Sequence, residues 1–214
     1  MKNIAVLISG GGTNMQAVID ACKRGEINGA VKFIISSNAE AYGLVRAKTE
    51  NIPSAVFCKK DFLNHDELGK AIISELDKYN IDLVVLAGYL VRLSENIVNK
   101  YEGRMINVHP SLIPAFCGDG FYGMRVHEAA WAAGVKLSGA TVHFVDNGMD
   151  TGPIIMQESV PLEENDEPEN IQKKVLAVEH KILVKAVKLF CENRISFKDD
   201  GRVTINRAED IKIL

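Results

Sequence analysis

The chain has little of what marks several protein classes. It carries no surplus of positive charge: 25 Lys and Arg against 28 Asp and Glu leave a formal net charge of -3. That removes the electrostatic case for a nucleic-acid partner, and any phosphate site must be local. Cysteines number four, Cys22, Cys58, Cys117 and Cys191, far apart and without a CxxC pair. With no basic, apolar, cleavable leader in front of them, reduced thiols in the cytoplasm are the expectation. No apolar run approaches the roughly 18 residues that a membrane span needs, so no membrane partner is expected. The five histidines, His65, His109, His127, His143 and His180, form no HExxH-type helical pair, and no metal is expected. Internal repeats, low-complexity tracts and linkers are missing too. With 47% hydrophobic residues in 214, one compact unit with an ample core is the default.

What is present is an alternation of apolar runs and helical periodicities. Ile4-Ala5-Val6-Leu7-Ile8-Ser9 is a short apolar run ending in glycines, the pattern of a strand buried on both faces of a parallel sheet. After Gly10-Gly11-Gly12, the residues Met15, Val18, Ile19 and Cys22 recur at helical spacing until Gly25. Strands near 31–35, 55–57, 83–87 and 105–109 alternate with helices near 42–50, 66–79 and 95–100. Residues 115–123 are glycine-rich and irregular, followed by a helix near 125–133 and strands near 140–145 and 153–157. Asp166 and Glu169 have the spacing of a capping box that opens a long helix to about Cys191, with Pro168 in its first turn. The tail reads as a hairpin turned at Asp200-Gly201. The fold class is α/β: a single Rossmann-like domain, a mostly parallel sheet flanked by helices, and a C-terminal β-hairpin.

Three segments carry chemistry. In Asn107-Val108-His109-Pro110-Ser111-Leu112, Asn107 and His109 share one face of a strand end, because alternate residues of a strand point the same way, and Pro110 turns the chain away. An amide and an imidazole aimed together at the carboxyl end of a strand suit acyl transfer: one donor for an oxyanion, one group to move a proton. Ser9-Gly10-Gly11-Gly12-Thr13-Asn14 joins a strand to a helix, where free N–H groups and the helix dipole favour phosphate. It is not a Walker A loop, and Met15 occupies the last glycine position of a GxGxxG motif, which argues against a dinucleotide. The third segment, Asp146 to Gly152, contains Asp150, either a turn residue or a carboxylate that raises the pKa of His109 and keeps it protonated. Cys117 has no basic neighbour in its loop and reads as a bystander. His143 reads as a packed interstrand residue, Trp131 and Met124 as core, and the acidic run at Glu163, Glu164, Asp166 and Glu167 as a solvated helix start.

Taken together, these segments resemble the folate-dependent phosphoribosylglycinamide formyltransferases. The resemblance spans about Met1 to Phe190 and is carried by Ile8 to Asn14, Leu86-Ala87-Gly88-Tyr89, Asn107 to Leu112, and Val142-His143-Phe144-Val145 running on to Asp150-Thr151-Gly152-Pro153. It implies transfer of a formyl group from 10-formyltetrahydrofolate, as co-substrate, to the amine of glycinamide ribonucleotide, with Asn107, His109 and Asp150 catalytic. Gly12, Thr13 and Asn14 would hold the ribonucleotide's phosphate and Glu179 its ribose. Leu90, Val91, Arg92, Leu93 and Asn107 would line the folate site, with His65 beside them and the loop Asp146 to Asp150. Residues 1–100 then form a phosphate- and nucleotide-binding half, 101–193 a catalytic and folate-binding half, and 194–214 the hairpin tail. Small molecules are the expected partners, with the chain a monomer or homodimer.

There are departures from the family pattern. Where the family commonly reads Leu-Ala-Gly-Phe-Met-Arg, Val91 takes the arginine place and Arg92 follows one residue later. His65 stands where a folate-proximal arginine is common, and the segment from Ala115 to Ser138 is longer than in the commonest form. A formyltetrahydrofolate deformylase would use the same polar residues with water as acceptor, but carries an N-terminal regulatory domain for which a first strand at Asn3 or Ile4 leaves no room. A nucleotide-binding module without catalysis would use the glycine turn and leave Asn107, His109 and Asp150 without a common purpose.

Overall fold

Short runs of Val, Ile and Leu build the centre of the fold in the computed structural model, which describes residues 1–206. The chain runs β1 (Lys2–Ile8), α1 (Thr13–Lys23), β2 (Gly29–Ser36), α2 (Tyr42–Thr49), β3 (Ser54–Val56), α3 (His65–Asp77), β4 (Leu83–Leu86), α4 (Glu95–Lys100) and β5 (Met105–His109). It continues through α5 (Met124–Ala132), β6 (Leu137–Phe144), β7 (Ile154–Pro161), α6 (Pro168–Cys191), β8 (Ile195–Phe197) and β9 (Val203–Ile205). One seven-stranded sheet has the order β3-β2-β1-β4-β5-β6-β7. Its first five strands are parallel; β6 runs antiparallel to β5, and β7 antiparallel to β6.

The continuous apolar reading of β1 follows from burial on both sides. Ile4, Val6 and Ile8 pack in a core with Met15 and Val18 of α1 and Val175 and Ile182 of α6. The intervening Ala5 and Leu7 face Leu68, Ile72 and Leu76 of α3 and Ile97 of α4. Each large aliphatic side chain so buried contributes about 1.5–3 kcal/mol. From β1 the chain builds outward to β2 and β3, then crosses to the other side for β4. The loops after β1 and β4 therefore diverge and open a crevice at the carboxyl ends of the strands.

Local details correct several sequence expectations. The long helix opens without the Asp166/Glu169 capping box: Glu167 is its N-cap, Pro168 begins it, and no side chain caps it. Asp166 is instead buried, its Oδ2 accepting the Glu163 N–H at 2.7 Å and the Lys174 ammonium at 2.5 Å, so it ties the preceding loop to the helix flank rather than joining a solvated acidic run. Trp131 is 50% exposed, because the core-facing side of α5 is taken by Val126, His127 and Ala130. Strands β6 and β7 are each eight residues, longer than their apolar runs suggest, since pairing continues through polar Ser138, Gln157 and Ser159. The hairpin β8-β9 forms around Gly201 and docks by Phe197, whose ring centroid lies 4.8 Å from that of Phe144. Residues 207–214 of the tail lie outside the described residues. Among the described residues, no helix is long and apolar enough to cross a membrane.

Gly152 closes the loop between β6 and β7. A Cβ there would run into the Phe144 carbonyl and lie 3.4 Å from the Asp146 nitrogen, both backbone atoms that cannot swing aside. Gly152→Ala is therefore expected to lower stability by about 1–3 kcal/mol through overpacking. Urea denaturation measures this, and an unchanged midpoint would refute it.

Candidate active site

The crevice predicted by the strand order is a cleft of about 610 Å³. Its walls are the glycine turn after β1, the segment after β4, the end of β5, and the loops 118–123 and 146–150, with Glu179 contributed by α6.

Asn107 and His109 share a face at the end of β5, as their spacing requires. Asn107 lies opposite His143 in the antiparallel pairing with β6, and His109 lies opposite Thr141. Thr141 donates its hydroxyl to the Ser111 carbonyl (2.7 Å) and accepts the Ile113 N–H (3.1 Å), fastening the turn that follows His109. Asp150 reaches the same place from the next loop, which is shaped by Asp146 Oδ1 accepting from the Gly148 N–H and the Thr151 hydroxyl. Asp150 has φ 56, a left-handed conformation that Asp tolerates better than most residues. Its Oδ2 lies 3.5 Å from His109 Nδ1 and its Oδ1 lies 3.7 Å from His143 Nε2, while the Gly118 N–H donates to Oδ2 at 2.9 Å.

The electrostatics differ from the sequence expectation in one respect. Burial presses the pKa of His109 below the ordinary histidine value; Asp150 and the Phe116 carbonyl pull it upward without prevailing. His109 thus rests neutral near pH 7, rather than being held protonated. Its Nε2–H donates to the Phe116 carbonyl at 2.9 Å. Burial also opposes the charge on Asp150, yet the nearby imidazoles of His143 and His109 and the Gly118 amide together hold its carboxyl below the usual range. Cys117 stays a protonated thiol, its pKa raised by burial and by Asp150.

Two histidines belong to the cleft that sequence reasoning left aside. His143 donates Nδ1–H to the Phe144 carbonyl (2.8 Å), which leaves Nε2 as the acceptor for the Asn107 amide at 3.1 Å. It is the packed interstrand histidine that its sequence suggests and it also lines the cleft; the signal for that was its register opposite Asn107, which needs the pairing of β5 with β6. His127 lines the cleft from α5, is 2% exposed and has no hydrogen-bond partner for its Nδ1 among the described residues. Burial, and then proximity to His109, bring its pKa down to about 4.

At the other end of the cleft, Gly12 (φ 71) precedes α1, which has no side-chain cap and no acidic residue in its first turn. The N–H groups that begin α1 are thus left open. Asn14 Nδ2 donates to Glu179 Oε2 at 2.6 Å, joining the glycine turn to α6. Glu179 interrupts the buried stripe of Val175, Val178 and Ile182, and burial raises its pKa to about 7 against the bond from Asn14.

Leu90, Val91, Arg92 and Leu93 follow β4 along the cleft wall. The Leu90 N–H donates to Ser9 Oγ (2.8 Å), and the Arg92 guanidinium to the Asn147 carbonyl (3.3 Å). His65 does not line the cleft; its Nδ1–H donates to the Arg92 carbonyl (2.8 Å) and braces that segment from behind.

Between its ordinary value and about 7, Glu179 holds a proton in the folded protein that the unfolded chain releases, so stability falls as pH rises through that window. Thermal melts of the ligand-free protein from pH 4.5 to 7.5 are expected to show the decline in wild type and a flatter profile in Glu179→Gln. Parallel profiles would refute the assignment.

The formyl transferase family model matches residues 2–187. Phosphoribosylglycinamide formyltransferase of Haemophilus influenzae is 42% identical over 200 residues, covering 94% of this chain and 92% of that one. The crystal structure of glycinamide ribonucleotide transformylase 1 from Symbiobacterium toebii superposes with a TM-score of 0.91 at 40% identity, over 97% of this chain and 95% of that one. A formyltetrahydrofolate deformylase from Pseudomonas syringae has a TM-score of 0.86 but only 23% identity, covering 96% of this chain and 66% of that one, and so shares the fold alone. The chain belongs to the formyl transferase family and, within it, to the phosphoribosylglycinamide formyltransferases.

Proposed function

We propose that this chain transfers the formyl group of 10-formyltetrahydrofolate to the primary amine of glycinamide ribonucleotide, a step of de novo purine synthesis. One observation carries the proposal: Asn107, His109 and Asp150 meet at one end of a cleft whose other end is an uncapped glycine turn. The phosphate would sit on Gly12, Thr13 and Asn14, the ribose hydroxyls against Glu179, and the folate along Leu90 to Leu93 and the loop Asp146 to Asp150. The two halves, 1–100 and 101–193, thus each supply part of both substrate sites.

The amine attacks the formyl carbon, the new C–N bond forms, and the carbonyl opens to an oxyanion. Collapse breaks the bond to the folate nitrogen. The amine loses one proton and the folate nitrogen gains one, so a relay suffices and no net proton is consumed. With Nε2–H kept for the oxyanion, the nitrogen of a neutral His109 that takes up the relayed proton is Nδ1, and Asp150, 3.5 Å from it, offsets the imidazolium as it forms. One N–H of Asn107 is engaged by His143 and the other is free for the oxyanion. The formyl oxygen would replace the Phe116 carbonyl as acceptor for His109 Nε2–H. Fixed geometry for two bound substrates supplies much of the remaining acceleration, with neither metal nor covalent intermediate.

His109→Ala is expected to lower transfer by about 10²–10⁴-fold, the usual worth of a positioned acid-base group, while ribonucleotide affinity measured by calorimetry persists. Near-wild-type turnover in that variant would sink the mechanism. The identity of the acceptor is tested by following folate release from 10-formyltetrahydrofolate with and without glycinamide ribonucleotide. Release should require the ribonucleotide; release that ignores it would mark a deformylase.

A further inference from the structure

The cleft is poorly charged for the acceptor it is proposed to take. Among the described residues its walls carry four carboxylates, Asp119, Asp146, Asp150 and Glu179, against one Lys or Arg, Arg92. Arg92 is tied to the folate side through Asn147. A phosphate at the glycine turn therefore meets only partial positive charges from the cleft wall, about half a unit from the α1 N-terminus.

A full positive charge stands just outside that wall. The first turn of α2 packs directly on the glycine turn: the Gly43 N–H donates to the Gly10 carbonyl at 3.0 Å, and a Cβ on Gly12 would come within 2.8 Å of Gly43 Cα. Glycine at both positions permits this approach, and a Cβ on Gly43 would also collide with Ile8. Arg46, three residues after Gly43, faces the same way. Its Cδ would lie 3.7 Å from a Cβ on Gly12, its Nε–H donates to the Gly11 carbonyl at 2.9 Å, and its guanidinium sits 5.2 Å from the centroid of the Tyr42 ring. Arg46 makes no ion pair with any described carboxylate, and its two terminal amino groups have no hydrogen-bond partner among the described residues. A cation held in place by backbone and aromatic contacts, un-neutralised and with its bidentate edge free, is the arrangement that binds a phosphate oxygen pair.

We propose that Arg46 is the charged anchor for the acceptor's 5'-phosphate, its Nε shaping the glycine turn while its terminal nitrogens bind phosphate oxygens. The proposal rests on the acceptor being a phosphorylated ribonucleoside, and makes Arg46 the residue that selects for the phosphate. Its place on α2, outside the segments that the family resemblance singled out, is why the motifs did not point to it.

The test compares kcat/KM for glycinamide ribonucleotide and for its dephosphorylated ribonucleoside in wild type, Arg46→Gln and Arg46→Lys, with thermal melts of each. Wild type is expected to prefer the phosphorylated acceptor strongly. Arg46→Gln should cut that preference by about tenfold or more, mainly through KM, as loss of a charge-assisted contact implies. Arg46→Lys, which keeps the charge and loses the Gly11 contact, should retain most of the preference. If Arg46→Gln weakens both acceptors equally, or Arg46→Lys loses the preference as fully as Arg46→Gln, Arg46 only shapes the turn and its phosphate role is overturned. A wild-type enzyme indifferent to the phosphate would overturn the phosphorylated acceptor itself, an outcome distinct from either.

Discussion

Asp150 is a carboxylate withdrawn from water between two imidazoles, and the site depends on how that charge is tolerated. An ionised carboxyl in such surroundings costs several kcal/mol unless it is paired and hydrogen-bonded. The Gly118 N–H donates to it directly, and His109 and His143 stand 3.5 and 3.7 Å away, each an ion partner once it is protonated. Each partner comes from a different element, so loop 146–150, the end of β5, strand β6 and the glycine-rich loop 115–123 are fixed relative to one another by a single group. The same burial lowers the pKa of His109, which leaves that imidazole free to take a proton, and Asp150 then becomes its ion partner.

The cleft has two ends with different physics. The reacting end is buried and governed by desolvation, where directions of pKa shift decide which groups can move a proton. The glycine end is governed by backbone: an uncapped helix, glycines close enough for α2 to rest on the turn, and the Asn14–Glu179 bond closing the wall. The crossover between β1 and β4 sets the two ends apart, since it makes the loops after those strands diverge.

Much of this fold is legible in the sequence, because strands buried on both faces read as unbroken apolar runs and helices as a 3.6-residue recurrence. The misreadings have specific causes. Asp166 and Glu169 have the spacing of a capping box, yet Lys174 and the Glu163 amide compete for the same carboxylate and win. Trp131 has a large apolar ring but lies on the outer side of α5. His143 looks like an interstrand residue because it is one; that the strand opposite presents Asn107 is a fact of register.

By itself the sequence determined the order of strands and helices, the open helix start after Gly12, and the common face of Asn107 and His109. These follow from local geometry: two-residue alternation, glycine backbone freedom and the absence of a cap. Only the tertiary structure decided that His143 joins Asn107, that His109 rests neutral, that Asn14 meets Glu179 across 165 residues of chain, and that Arg46 reaches the glycine turn. Each of these depends on which surfaces exclude water and which distant segments pack together, and neither is a property of a local stretch of chain.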